Sequence, residues 1–233
     1  MRAIFNKLSG KSFLFLLLAF VLIQVPVLGN YVSMIDTLIH ESGHAIISLL
    51  GGKVDQISLF SNTEGVTVSS QSTWIGAFFT SLAGYFTSSL LAFIAFWLIG
   101  KRKYKIMILI LLTFIVLNII FWVRNLYGLF WLISFGVIFL FLLAKGSKRF
   151  NYHLVLLFAS IIMVDSVKSG FDVMYISFLT PIYSGDAANL AHLTEFIPAQ
   201  VWGIYFFLQS LWFCFFGLKK GIFKLANPDY SKD

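Results

Sequence analysis

The chain has 233 residues, of which 59% are hydrophobic and 12% charged, with a net charge of +7, and its mean hydropathy is +0.88. Soluble domains are roughly 45–50% apolar, so this composition excludes a water-soluble domain and requires an integral, multi-pass membrane protein. The positive charge does not indicate nucleic acid. Its lysines and arginines sit at the ends of apolar runs, at 101–105, 145–149 and 219–224, as they do in loops that face an anionic lipid surface.

At about 20 residues per span, the length suits one all-α bundle of about six or seven helices. A single membrane domain over 1–233 is expected, with an amino-terminal anchor span in 1–30, a core over 31–218 and a basic tail over 219–233. The first apolar run, Ser12 to Gly29, follows Arg2, Lys7 and Lys11. It is longer than a usual signal-peptide core, and Val27-Leu28-Gly29 is a poor cleavage site, so an uncleaved anchor is expected.

From Tyr31 to Leu50, Ile35, Leu38, Ile39, Ala45, Ile46 and Leu49 recur at helical spacing around a polar stripe of Asp36, His40, Glu41 and His44. His40-Glu41-Ser42-Gly43-His44 is a His-Glu-x-x-His pentad. One helical turn places both imidazoles on one face, where they can bind a zinc ion, and sets Glu41 beside the water to be activated. Ionisable groups are costly at membrane depth and mark function there. Gly51-Gly52 ends the helix. The distribution of basic clusters favours a re-entrant or tilted path for this helix, or a break near Gly84 in the next span.

Alternating residues on both sides of Asn62-Thr63-Glu64-Gly65, between Lys53 and Ser70, predict a β-hairpin. Its edge is suited to hold an extended peptide beside the metal. Further spans are expected at Trp74–Ile99, Ile106–Trp122, Leu129–Ala144, His153 to about Phe178, and Val201–Leu218. The small residues Ser81, Ala83, Gly84, Ser88 and Ser89 allow neighbouring helices to approach closely. Cys214 is the single cysteine and can form no internal disulfide.

A catalytic zinc site takes three protein ligands and keeps a fourth position open. Glutamate occurs only at Glu41, Glu64 and Glu195, and neither of the last two begins a second metal motif, so the third ligand is sought among aspartates. Asp165 has Lys168 at i+3 and is expected to form an intrahelical ion pair. Asp172 has no evident basic partner. Asp186 follows Ser184-Gly185, where it also fits a helix N-cap. Spacing alone leaves Asp172 and Asp186 both open. His192 and the interhelical pair Arg124 and Asn125 are candidate contacts to the substrate or its oxyanion.

His40-Glu41-Ser42-Gly43-His44-Ala45, closed by Gly51-Gly52 and followed by a hairpin and by Leu82-Ala83-Gly84-Tyr85, resembles the site-2 protease family of intramembrane zinc metallopeptidases. The B-type branch of small multi-span proteins is the nearer likeness. Val123-Arg124-Asn125-Leu126-Tyr127-Gly128 and Gly185-Asp186-Ala187, leading to Ile197-Pro198 and Val201-Trp202, carry that likeness, which extends from about Ser33 to Leu211.

The resemblance implies that His40 and His44 bind zinc, that Glu41 is the catalytic base, and that an aspartate from a distant span completes the site. Better-known members carry Gly-Pro-x-x-Asn where this chain has Gly84-Tyr85-Phe86-Thr87-Ser88, and no Asp-Gly element occurs here. The Gly-Asp-Ala pattern puts Asp186 first as third ligand and Asp172 second. The function implied is a metalloendopeptidase that cuts a membrane-protein or peptide substrate in or near the bilayer, at the plasma membrane. The alternatives are a non-proteolytic zinc-binding membrane scaffold and an ion or proton transporter.

Overall fold

Apolar runs of about 20 residues can satisfy their backbone polar groups in hydrocarbon only as helices, and helices dominate the computed structural model. It describes residues 10–225. Arg2 and Lys7, and the part of the expected basic tail from 226 to 233, lie outside the described residues.

In chain order the elements are α1 (Gly10–Leu22), α2 (Leu28–Ser48), β1 (Gly52–Leu59), β2 (Gly65–Gln71), α3 (Trp74–Gly100) and α4 (Tyr104–Leu117). A π-helical turn (Asn118–Trp122) leads to α5 (Leu126–Lys145) and α6 (Lys148–Leu179). A 3-10 turn (Pro181–Tyr183), α7 (Asp186–Thr194) and α8 (Ala199–Leu225) follow. The fold is an all-α membrane bundle with one short hairpin. Among the described residues, five stretches are long and apolar enough to cross a bilayer: Trp74–Gly100, Tyr104–Trp122, Leu126–Lys145, Lys148–Leu179 and Ala199–Gly221.

Both ends of the described chain show finer detail. The first apolar run is not one continuous helix to Gly29: α1 ends at Leu22, and the chain turns through Pro26 and Val27, whose φ is 66°. Proline has no amide hydrogen to continue a helix, so the run divides there. At the other end, α8 continues through Lys219 and Lys220 to Leu225, so the start of the basic tail is helical.

Helix α3 packs against α2, α6 and α8. Lipid tails are as apolar as leucine, so van der Waals fit and close backbone approach hold such helices together. Gly43 of α2 illustrates the fit: a Cβ there would lie 2.7 Å from the Ala83 carbonyl oxygen of α3. A second contact region is aromatic. Trp131 and Phe135 of α5 stack with ring centroids 4.2 Å apart, and the Trp131 indole donates to the Tyr31 carbonyl of α2 at 2.7 Å.

The hairpin falls where the alternation predicts it. β1 and β2 are antiparallel, from Gly52 opposite Gln71 to Leu59 opposite Gly65, with a register irregularity between Val54 and Gln56. The other edge of β1 is also occupied, through a parallel bridge between Ile57 and Val123. The Asn125 side chain extends that pairing: its Nδ2 donates to the Leu59 carbonyl at 2.6 Å, and its Oδ1 accepts from the Leu59 amide at 3.1 Å. Among the described residues, the outer edge of β2 has no strand partner.

Candidate metal centre

The polar stripe of α2 turns inward. Residues four apart share a helix face, which aligns Asp36, His40, His44 and Ser48. His40 Nε2 and His44 Nε2 lie 3.0 Å apart. His44 Nδ1 is 2.7 Å from the Thr80 carbonyl oxygen of α3. A carbonyl only accepts, so in the neutral ring Nδ1 carries the proton and the Nε2 lone pair faces the centre.

Asp186 closes the cluster from the opposite side, with Oδ2 at 3.3 Å from His40 Nε2 and 3.2 Å from His44 Nε2. It is the first residue of α7, and the cap position belongs to Gly185, so its carboxylate is not spent on capping. Gly185 has φ 57° and ψ −123°, a conformation open to glycine and disfavoured for other residues. Ala187 and Leu190 of α7 are fully buried in a cluster with Phe206, and the Trp74 indole donates to the Leu193 carbonyl at 2.8 Å. These contacts press α7 onto α3 and α8 and bring Asp186 to the histidines. Burial opposes ionisation of Asp186, but the imidazoles of His44 and His40 outweigh it and hold the carboxyl well below the usual carboxylate range.

The donor set is two imidazole nitrogens and one carboxylate oxygen, all within 4.8 Å of one another. That chemistry and number fit a zinc ion with one coordination position left open. Space has been kept for it on the α3 side. A Cβ on Gly84 would lie 2.5 Å from His44 Nε2, so only glycine leaves the ligand nitrogens clear.

Glu41 points into the same cavity, of about 610 Å³, whose walls include His40, His44, Thr67, Tyr85, Asp186 and Asn189. Thr67 Oγ1 of β2 donates its proton to Glu41 Oε2 at 2.6 Å, with the Glu41 carbonyl oxygen a longer second acceptor at 3.1 Å. A Cβ on Gly65 would lie 2.7 Å from Glu41 Oε1. The hairpin therefore holds the glutamate through Thr67, with no room for a side chain at Gly65, and β2 forms one wall of the cavity.

The remaining sequence candidates lie elsewhere. Lys168 bonds Asp172 at 2.6 Å across one turn of α6, in a half-exposed pair, so the ion pair expected between Asp165 and Lys168 is replaced and Asp172 does not join the cluster. The expectation looked only forward from each aspartate; the partner of Asp172 lies at i−4. Arg124 donates to the carbonyls of Ile119, Ile120, Phe121 and Val123, capping the π-helical turn. Asn125 is engaged with Leu59. His192 is exposed in the last turn of α7 and is not among the cavity walls. None of these three reaches the cluster. Thr67, Thr80 and Gly65 were not anticipated. The position of Gly65, directly after the hairpin turn, was the one visible signal.

A family model described as Peptidase M50B-like matches residues 13–217. The chain belongs to this family. It is thus a B-type member of the site-2 proteases and a multi-pass protein of a membrane protease family whose members are zinc metalloproteases. Comparison with curated proteins and with solved structures gave no match. Membership of a protease family implies a substrate and a membrane environment.

Proposed function

We propose that this chain is a zinc-dependent intramembrane endopeptidase of the plasma membrane that hydrolyses a peptide bond of a membrane protein within or near the bilayer. His40, His44 and Asp186 are the zinc ligands and Glu41 is the general base. The observation that carries the reading is the convergence of His40 Nε2, His44 Nε2 and Asp186 Oδ2, each within 3.3 Å of the others, in the cavity that also holds Glu41.

When bound, zinc would supply a Lewis acid that polarises the scissile carbonyl and lowers the pKa of its water toward about 7. Glu41 takes the proton of the attacking water and delivers it to the leaving amine nitrogen. Thr67 holds Oε2, which leaves Oε1 as the oxygen for that proton. A substrate helix hides its carbonyls in internal hydrogen bonds and must be unwound before attack. The unpaired edge of β2, beside Glu41, offers main-chain partners to the extended segment.

The test is Glu41→Gln in the full chain, reconstituted with a membrane-spanning substrate. Glutamine still accepts from Thr67 but takes no proton, so one equivalent of zinc should remain while cleavage is lost. Undiminished cleavage by this variant would remove Glu41 from the mechanism.

A further inference from the structure

Glu41 handles the proton, but peptide hydrolysis also develops negative charge on the attacked carbonyl oxygen, and a fixed donor aimed there lowers the barrier. No arginine or lysine lines the cavity. The Thr67 hydroxyl is committed to Glu41. The family element with proline and asparagine is replaced here, and the residue at the asparagine position, Ser88, donates to the Asp36 carbonyl instead.

Tyr85 stands in the vacated proline position and lines the cavity. Its ring is fixed on two sides: edge-on to His40, with centroids 4.6 Å apart at 86°, and against Phe206 at 4.5 Å. Its hydroxyl makes no hydrogen bond among the described residues, yet it is not sealed from the cavity. Asn189 also lines the cavity but is exposed, with no comparable packing to fix it.

We infer that Tyr85 is a catalytic residue, its phenol hydroxyl donating a hydrogen bond to the carbonyl oxygen of the scissile bond as charge develops there. The phenol keeps its proton throughout and forms no covalent bond. This role rests on the peptidase reading above.

Tyr85→Phe in the full chain tests it, because phenylalanine preserves both ring contacts. Zinc stoichiometry should stay at that of the parent and KM should change little, while kcat falls about 10²- to 10³-fold, the usual loss for one oxyanion donor. Binding gives a second readout: a phosphinate peptide, which mimics the charged tetrahedral centre, should lose affinity in parallel, whereas an uncleaved substrate-like peptide should not. An unchanged kcat and phosphinate affinity in a parent chain that cleaves would overturn the role of Tyr85 alone. A kcat loss in Asn189→Ala with Tyr85→Phe unaffected would overturn it in favour of Asn189. No cleavage of any membrane-spanning or peptide substrate by the zinc-loaded parent chain would instead overturn the underlying peptidase reading.

Discussion

Gly84 rests directly on His44: a single added methyl group on its Cα would stand 2.5 Å from the imidazole Nε2. Two effects oppose each other in Gly84→Ala. Alanine favours a helix interior over glycine by about 0.8–1 kcal/mol, but the new carbon occupies the space that faces the ligand nitrogens. Contacts that short do not occur, so either α3 moves away or the histidines turn, and sterics prevails. The expected outcome is a helical, well-folded protein that retains little zinc and cleaves poorly. Circular dichroism together with zinc analysis separates the two effects, and full zinc occupancy in the variant would contradict the geometry.

The third ligand is separable by a paired substitution. Asp186→Ala removes the only carboxylate within reach of both histidines among the described residues and should abolish stoichiometric zinc and cleavage together. Asp172→Asn removes one arm of an exposed i,i+4 pair with Lys168, a class of interaction worth about 0.3–0.5 kcal/mol. It should leave zinc content and activity at the parent level. The reverse pattern in a zinc titration would exchange the two assignments.

How far the sequence alone carries the site depends on the range of the interaction that fixes each residue. His40, Glu41 and His44 are legible because one helical turn fixes them, and the hairpin because its alternation is local. Asp186 was only one of two open choices. Its approach to α2 depends on the burial of Ala187 and Leu190 and on Gly185, all effects of tertiary packing. Asn118 shows the same limit: its Nδ2 donates to Ser42 Oγ inside the zinc motif at 2.7 Å, across 76 residues of sequence. A reading of apolar runs places Asn118 only inside a span.

Thr67 provides a test of how the base is held. Thr67→Val keeps the β-branched shape in β2 and removes only the hydroxyl that binds Glu41 Oε2. Hydrogen bonds to charged groups contribute about 1.5–3 kcal/mol, and a kcat loss of about 10-fold corresponds to about 1.4 kcal/mol in the barrier. We expect at least that loss, with zinc content unchanged because no ligand is touched. Steady-state kinetics on zinc-loaded protein checks it; equal kcat values would show that Glu41 needs no support from the hairpin.

Asn125 acts on the same hairpin from its far side. The side-chain amide pairs with both the amide and the carbonyl of Leu59, a fully buried residue at the end of β1. Asn125→Ala leaves both groups unpaired, at a cost of about 1–3 kcal/mol for each buried group. The loosening passes along the ladder because Leu59 is opposite Gly65, the residue that touches Glu41. Amide exchange across residues 52–71 should accelerate by about 10- to 100-fold, the rate equivalent of about 1.4–2.7 kcal/mol in local opening. Catalysis should fall with it, since β2 carries both Thr67 and the edge offered to substrate. Arg124→Ala makes the contrast, because Arg124 caps the π-helical turn, and its hydrogen bonds go to Ile119, Ile120, Phe121 and Val123 rather than to either strand. Its exchange effect should centre on residues 118–123, and faster exchange in the hairpin from Arg124→Ala but not from Asn125→Ala would assign the clamp to the wrong residue.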